Sequence, residues 1–206
     1  DLVGILADAH VRLARGQGAE LWWRDAGGRQ LTPAEALDIY GLKTSPAFEA
    51  AIAMGIRLAG LPPESVAAIN RYALHVGTGF QILNDLKDWG GDLENNRRAA
   101  GDLLGGRPTL LWALAIERLA AADIVRLREI ATESTREDLP ASAAIGLLQE
   151  ARDLYDRAGV VPRATAIAAE QRRRAAEALA GCRHRRLREV LDFLLDLAVP
   201  EPVSAG

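Results

Sequence analysis

The 206-residue sequence predicts an all-α fold. Apolar residues recur at helical spacing along nearly the whole chain, Pro and Gly punctuate it about once per helix length, and no segment alternates apolar with polar as a half-buried strand does. Leu2 to Leu13 is apolar-periodic and meets Gly16-Gln17-Gly18, which reads as a breaker; a Gly-Gly turn follows between Asp25 and Arg29. Thr32-Pro33-Ala34-Glu35 is a capping box: the threonine and glutamate side chains each satisfy the other's backbone N–H, and proline takes the first helical position, where no N–H is needed. A second helix therefore starts there. Ser45-Pro46 starts another that stops at Gly60, and Leu61-Pro62-Pro63-Glu64 opens a long helix to Trp89. Gly90, Gly91, Gly101, Gly105 and Gly106 make residues 90–107 a loop, since each glycine inside a helix costs about 1 kcal/mol. Pro108 begins a helix through Leu119, and further helices are expected near 121–136, 140–158, 163–180 and 184–198. Eight or more helices without a sheet form a bundle whose sites lie between facing helices.

With 49% hydrophobic residues the chain can bury a sizeable core, and its formal net charge of −3 gives no general attraction to nucleic acid. The lone Cys182 has no internal disulfide partner, so a reducing, cytoplasmic setting is expected. The most apolar run, Pro-Thr-Leu-Leu-Trp-Ala-Leu-Ala-Ile, is bracketed by Arg107 and Glu117 and is too short to span a membrane. Asp1 stands where an initiator Met would, so a processed chain, a truncated one or part of a longer gene product is expected. Of 25 basic residues only Lys43 and Lys87 are lysines, which singles out Lys43 against a strong arginine habit.

The segment Phe80-Gln-Ile-Leu-Asn-Asp-Leu-Lys-Asp-Trp89 carries the chemistry. At about 100° per helical residue, Gln81, Asn84, Asp85 and Asp88 fall within an arc of roughly 100°, with Ile82, Leu83, Leu86 and Trp89 opposite. Two carboxylates at i and i+3 beside two amides make a hard-oxygen surface suited to Mg²⁺, which is usually held by one or two carboxylates plus the phosphates of a substrate. The pattern places the carboxylates on an exposed face and points to a diphosphate as the partner.

The order of motifs resembles the C-terminal part of a trans-isoprenyl diphosphate synthase of the polyprenyl synthetase family. The likeness rests on Gly16-Gln17, Leu31-Thr32, Lys43-Thr44, Gly79-Phe80-Gln81 running into Asn84-Asp85-x-x-Asp88, Gly101-Asp102-Leu103 and Gly106-Arg107-x-Thr109-Leu110. It implies a single isoprenoid synthase domain over residues 1–206, an antiparallel bundle of the class I terpenoid synthase type with its N-terminal helices missing from this chain. The implied reaction is Mg²⁺-dependent ionisation of an allylic prenyl diphosphate and its head-to-tail 1′-4 condensation with isopentenyl diphosphate. Asp85 and Asp88 match the family's second aspartate-rich motif as metal ligands, Lys43 matches the lysine on the departing diphosphate, and Thr44 and Gln81 match residues beside the nascent cation. A helix cap ahead of Pro46 is the other reading of Thr44.

Two departures from the family pattern stand out. Asn84 replaces an aspartate, keeping an Mg²⁺-compatible oxygen but no charge. Arg98 and Arg107 stand where the family commonly places two diphosphate-binding lysines, and arginine can hold phosphate bidentately. The glycines around them suit a lid that closes over the cation. No Asp-Asp-x-x-Asp occurs in the chain, so the first aspartate-rich motif and the isopentenyl diphosphate pocket are expected upstream in the same gene or on another chain, in a homodimer or with a partner. A class I terpene cyclase and a non-catalytic subunit of a prenyl diphosphate synthase are the alternative readings. Arg172-Arg173-Arg174 and the Arg183 to Arg188 cluster with His184 read as solvated faces interleaved with Glu170, Glu177 and Glu189. Trp22-Trp23 read as core in preference to the lining of a prenyl tunnel, and His10 and His75 lack metal-ligand spacing.

Overall fold

The capping box forms as its spacing requires. The Thr32 N–H and hydroxyl donate to Glu35 Oε2 at 2.8 and 2.7 Å, and the Glu35 N–H donates to Thr32 Oγ1 at 3.2 Å. The backbone bond first, then the hydroxyl, holds the Glu35 carboxyl below its ordinary range. The structure, a computed structural model, describes residues 2–25, 31–61, 66–90, 107, 109–136 and 138–201. Every regular element among the described residues is a helix: α1 (Leu2–Asp25), α2 (Pro33–Lys43), α3 (Ser45–Leu58), α4 (Val66–Gly90), α5 (Leu110–Arg118), α6 (Ala121–Ser134), α7 (Ala141–Ala158), α8 (Val160–Leu179) and α9 (Arg185–Ala198). The all-α expectation holds, and no described helix is long and apolar enough to cross a membrane.

Differences at the helix ends have local causes. Helix α1 does not stop at Gly16-Gln17-Gly18 but continues to Asp25, and Gly16 serves there as a notch against the end of α2. Gly60 at φ 66° and Gly159 at φ 62° take the left-handed conformation that follows α3 and α7, as the stop signals require. Helix α8 starts at Val160, earlier than position 163, because Pro162 falls in the first turn, whose N–H groups have no helical partner to lose. Helix α5 starts at Leu110 under Thr109, whose hydroxyl accepts from the Trp112 N–H at 3.2 Å. The Gly-Gly turn at 26–30, the Pro62-Pro63-Glu64 start, the glycine-rich loop at 91–106 and Pro108 lie outside the described residues.

The chain divides into two compact units. The first comprises Asp1–Ala19, Leu37–Leu83 and Ala166–Gly206; the second comprises Glu20–Ala36 and Asn84–Thr165. In the first, Ile52, Tyr72, Val76, Leu179, Leu191 and Leu195 of α3, α4, α8 and α9 form one apolar core. The Tyr72 hydroxyl, which donates to the Leu191 carbonyl at 2.6 Å, is a polar tie within it. The Arg172 guanidinium donates to the Val199 and Leu195 carbonyls and pairs with Asp196, which satisfies the C-terminal end of α9. Arg173 pairs with Glu170 and Glu177, Arg174 with Glu170 and Arg185 with Glu189, so these arginines are engaged with their own helices. In the second unit α5 and α6 both pack on α7, burying Leu110, Leu114, Leu127, Ile130 and Leu154. The Arg126 guanidinium donates to both Glu150 carboxylate oxygens at 2.7 and 2.8 Å, joining α6 to α7. Trp22 and Trp23 meet edge to face at 5.3 Å, but Trp22 is 52% exposed and Trp23 partly so, which corrects their reading as core.

Candidate active site

One residue, Thr44, separates α2 from α3. It occupies the N-cap position of α3, but its side chain makes no capping hydrogen bond; its hydroxyl instead donates to Gln81 Oε1 at 3.2 Å. A hydroxyl that gives its proton to an amide oxygen keeps its own lone pairs for a positive charge, and the Gln81 oxygen adds a second acceptor dipole. Lys43, half-buried in the last turn of α2, adds a cation where a helix C-terminus favours one. The next residue, Ser45, is fully buried and donates to the Leu74 carbonyl at 3.0 Å. Lys43, Thr44 and Gln81 all belong to the first unit.

The polar stripe continues along α4 into the second unit with Asn84, Asp85 and Asp88. The carboxylates are not on an exposed face. Asp85 is 3% exposed and Asp88 7%, whereas Leu83, Leu86 and Trp89 of the apolar side remain partly exposed. A carboxylate taken out of water is costly unless donors or a cation compensate it, and neither of these two is without an interaction partner in the structure. The donor set is made of hard oxygens, with half-buried Asn84 as a neutral third, and this fits Mg²⁺. No group of three or more His, Cys, Asp or Glu side chains that could hold a metal ion converges among the described residues.

Tyr155 of α7 was not legible as part of this neighbourhood. Its ring stacks on Trp89 at 4.4 Å and 22°, and burial, with the negative charge of Asp85 behind it, pushes its phenol well above the ordinary range and keeps it protonated. Arg107 is exposed, and Arg98 and Asp102 lie outside the described residues. His75 Nδ1 bonds Gln171 Oε1 at 2.8 Å, a structural link between α4 and α8.

The substitution Asn84→Asp tests the stripe without removing anything. An anionic oxygen binds a hard cation better than an amide, so the Mg²⁺ concentration giving half-maximal activity of the full-length protein should fall. An unchanged Mg²⁺ dependence would put position 84 outside the coordination shell.

Known proteins resemble this chain in sequence and in the arrangement of its helices. The chain is 26% identical over 200 residues to the short chain isoprenyl diphosphate synthase of Methanothermobacter thermautotrophicus, covering 97% of this chain and 58% of that protein. It is 36% identical over 104 residues to the all-trans-nonaprenyl-diphosphate synthase (geranyl-diphosphate specific) of Rhodobacter capsulatus, covering 49% of this chain and 31% of that protein. A polyprenyl synthase from Caulobacter crescentus CB15, crystallised with calcium and isoprenyl diphosphate, matches with a TM-score of 0.79 at 29% identity over 97% of this chain and 58% of that one. The chain thus spans 58% of the length of the first of these relatives. Residues 1–147 match the family profile described as Polyprenyl synthetase, and the chain belongs to the polyprenyl synthetase family.

Proposed function

We propose that this chain carries the diphosphate-ionising part of a prenyl diphosphate synthase, which condenses an allylic prenyl diphosphate with isopentenyl diphosphate into a longer linear prenyl diphosphate. The observation that carries the reading is the Thr44–Gln81 hydrogen bond beside Lys43, acceptor oxygens next to a cation in a member of a family whose relatives are named as prenyl diphosphate synthases. In the reaction the allylic C1–O bond breaks and its electron pair leaves on the diphosphate. The double bond of isopentenyl diphosphate then supplies the pair for the new C–C bond, and a proton leaves the added unit. Lys43 binds the departing diphosphate as a compact charge. The Thr44 and Gln81 oxygens face the allylic carbon as positive charge develops on it, an interaction that strengthens in the transition state. Asp85 and Asp88, with Asn84, would hold Mg²⁺, which would supply positive charge to offset that of the leaving diphosphate. Arg98 and Arg107 bind diphosphate oxygens, bidentately where geometry permits. We assign the isopentenyl diphosphate pocket to the part of the relatives' length that this chain does not span.

The product decides the reading. The full-length protein given an allylic diphosphate, isopentenyl diphosphate and Mg²⁺ should release one pyrophosphate per unit added and yield a longer linear prenyl diphosphate by mass spectrometry. A cyclic hydrocarbon or alcohol formed from a prenyl diphosphate alone would transfer the same residues to cyclisation, and no pyrophosphate release at all would leave a non-catalytic subunit.

A further inference from the structure

The Lys43-Thr44-Ser45 corner, where α2 hands over to α3, is touched by two glycines on other helices more closely than a side chain would allow. A Cβ on Gly16 of α1 would come 2.5 Å from the Lys43 nitrogen, 2.6 Å from the Leu42 carbonyl carbon and 2.8 Å from Lys43 Cα. A Cβ on Gly77 of α4 would come 2.6 Å from Ser45 Oγ, 2.7 Å from Ser45 Cα and 2.8 Å from the Ser45 nitrogen. Most of these neighbours are backbone atoms, which cannot swing aside as a side-chain tip does. Any substitution must therefore move the corner or the helix that carries it. Gly4, Gly18 and Gly55 have nothing within 4 Å of such a Cβ, and Gly79 meets only side-chain atoms of Val199 and Gln171 at 3.1 Å or more, so among the described glycines approach below 3.0 Å is confined to Gly16 and Gly77. The Ser45–Leu74 bond fastens the same corner to α4, three residues before Gly77. A glycine inside a helix costs about 1 kcal/mol relative to alanine, a cost here offset by close contact at Lys43, assigned to the diphosphate, and at Ser45, the residue next to Thr44.

We propose that Gly16 and Gly77 are positioning residues that clamp the α2–α3 corner, setting where the Lys43 ammonium and the Thr44 hydroxyl stand. The inference rests on the function proposed above. A reacting group misplaced by about 1 Å can cost 10²-fold in rate, so the clamp has a kinetic signature distinct from lost stability.

The test is a double-mutant cycle in the full-length protein, which isolates the coupling between two positions. Gly77→Ala should lower kcat by about tenfold or more, and so should Thr44→Val, while Thr44→Ser, which keeps the hydroxyl, should retain turnover. The double variant Gly77→Ala/Thr44→Val should be no slower than the slower single one, because a displaced hydroxyl and a deleted hydroxyl are the same loss. Gly16→Ala with Lys43→Gln should show the same saturation in the KM for the allylic diphosphate. Gly55→Ala, with open space around it, should leave both constants unchanged. Effects that multiply in either cycle, or a folded Gly77→Ala protein with wild-type kcat, would overturn the clamp. A Thr44→Val protein with wild-type turnover would instead overturn the functional reading on which the clamp rests. If Gly77→Ala does not fold, Ser45→Ala removes the bond to Leu74 without adding an atom and takes its place in the cycle, with the same saturation expected.

Discussion

Replacing Asp85 by asparagine in the full-length enzyme should lower turnover by about 10²-fold or more, the loss expected when a charge that stabilises the transition state is removed from a water-poor site. The far-ultraviolet circular dichroism should stay unchanged. Burial dictates the choice of substitution. At 3% exposure Asp85→Ala removes packed volume as well as charge, so a loss of activity there would mix a cavity with a missing ligand. Asparagine keeps the shape, the burial and one oxygen, and deletes the charge. The neighbouring Tyr155 phenol stays protonated and neutral, chiefly through burial, so its protonation should not change on the substitution. Turnover within about tenfold of wild type would remove Asp85 from the ionising machinery. A raised Mg²⁺ requirement accompanying the loss would tie the effect to the cation rather than to packing.

The helical architecture was legible because its signals are local. A capping box such as Thr32 to Glu35 is written in four consecutive residues, and Gly60 and Gly159 need only their own backbone conformation to end a helix. Gly16 was misread because its role is not local. From the sequence it is a poor helix former two positions from another glycine, and only the Lys43 nitrogen, 2.5 Å from where a Cβ on Gly16 would stand, makes it a notch. The same distinction divides the site. Helical periodicity was enough to gather Gln81, Asn84, Asp85 and Asp88 into one arc, because all four lie on α4. Periodicity cannot tell which face of an amphipathic helix turns inward when the polar face is the functional one, so the carboxylates were expected on the outside and are found buried. The Thr44–Gln81 bond joins residues 37 positions apart, and no single-helix rule reports it. The family resemblance supplied that pairing where local physics did not.

The largest structural effect in the first unit is expected at Tyr72. It is fully buried, it sits in the core formed by α3, α4, α8 and α9, and its hydroxyl reaches the Leu191 carbonyl across 119 residues of sequence. Truncation by Tyr72→Ala should cost about 3–5 kcal/mol, the range for deleting a buried aromatic ring whose space only partly collapses. Tyr72→Phe keeps the ring and should cost only about 1 kcal/mol, because the Leu191 carbonyl lies within α9 and retains its helical partner. The two variants therefore separate packing from the hydrogen bond. The phenol adds a pH dependence. Burial first, then the charges of Asp192 and Asp196, pushes it far above its ordinary range, whereas in the unfolded chain it ionises at about 10. Its contribution is complete below pH 10 and is lost as pH rises further, since the unfolded chain then releases a proton that the folded chain keeps. Tyr72→Phe should escape that part of the alkaline loss. Urea unfolding of the full-length protein at neutral pH and again above pH 10 reads both effects. A Tyr72→Ala midpoint equal to that of Tyr72→Phe would mean that the ring is not the centre of this core, and an alkaline loss unchanged by Tyr72→Phe would assign the proton to another group.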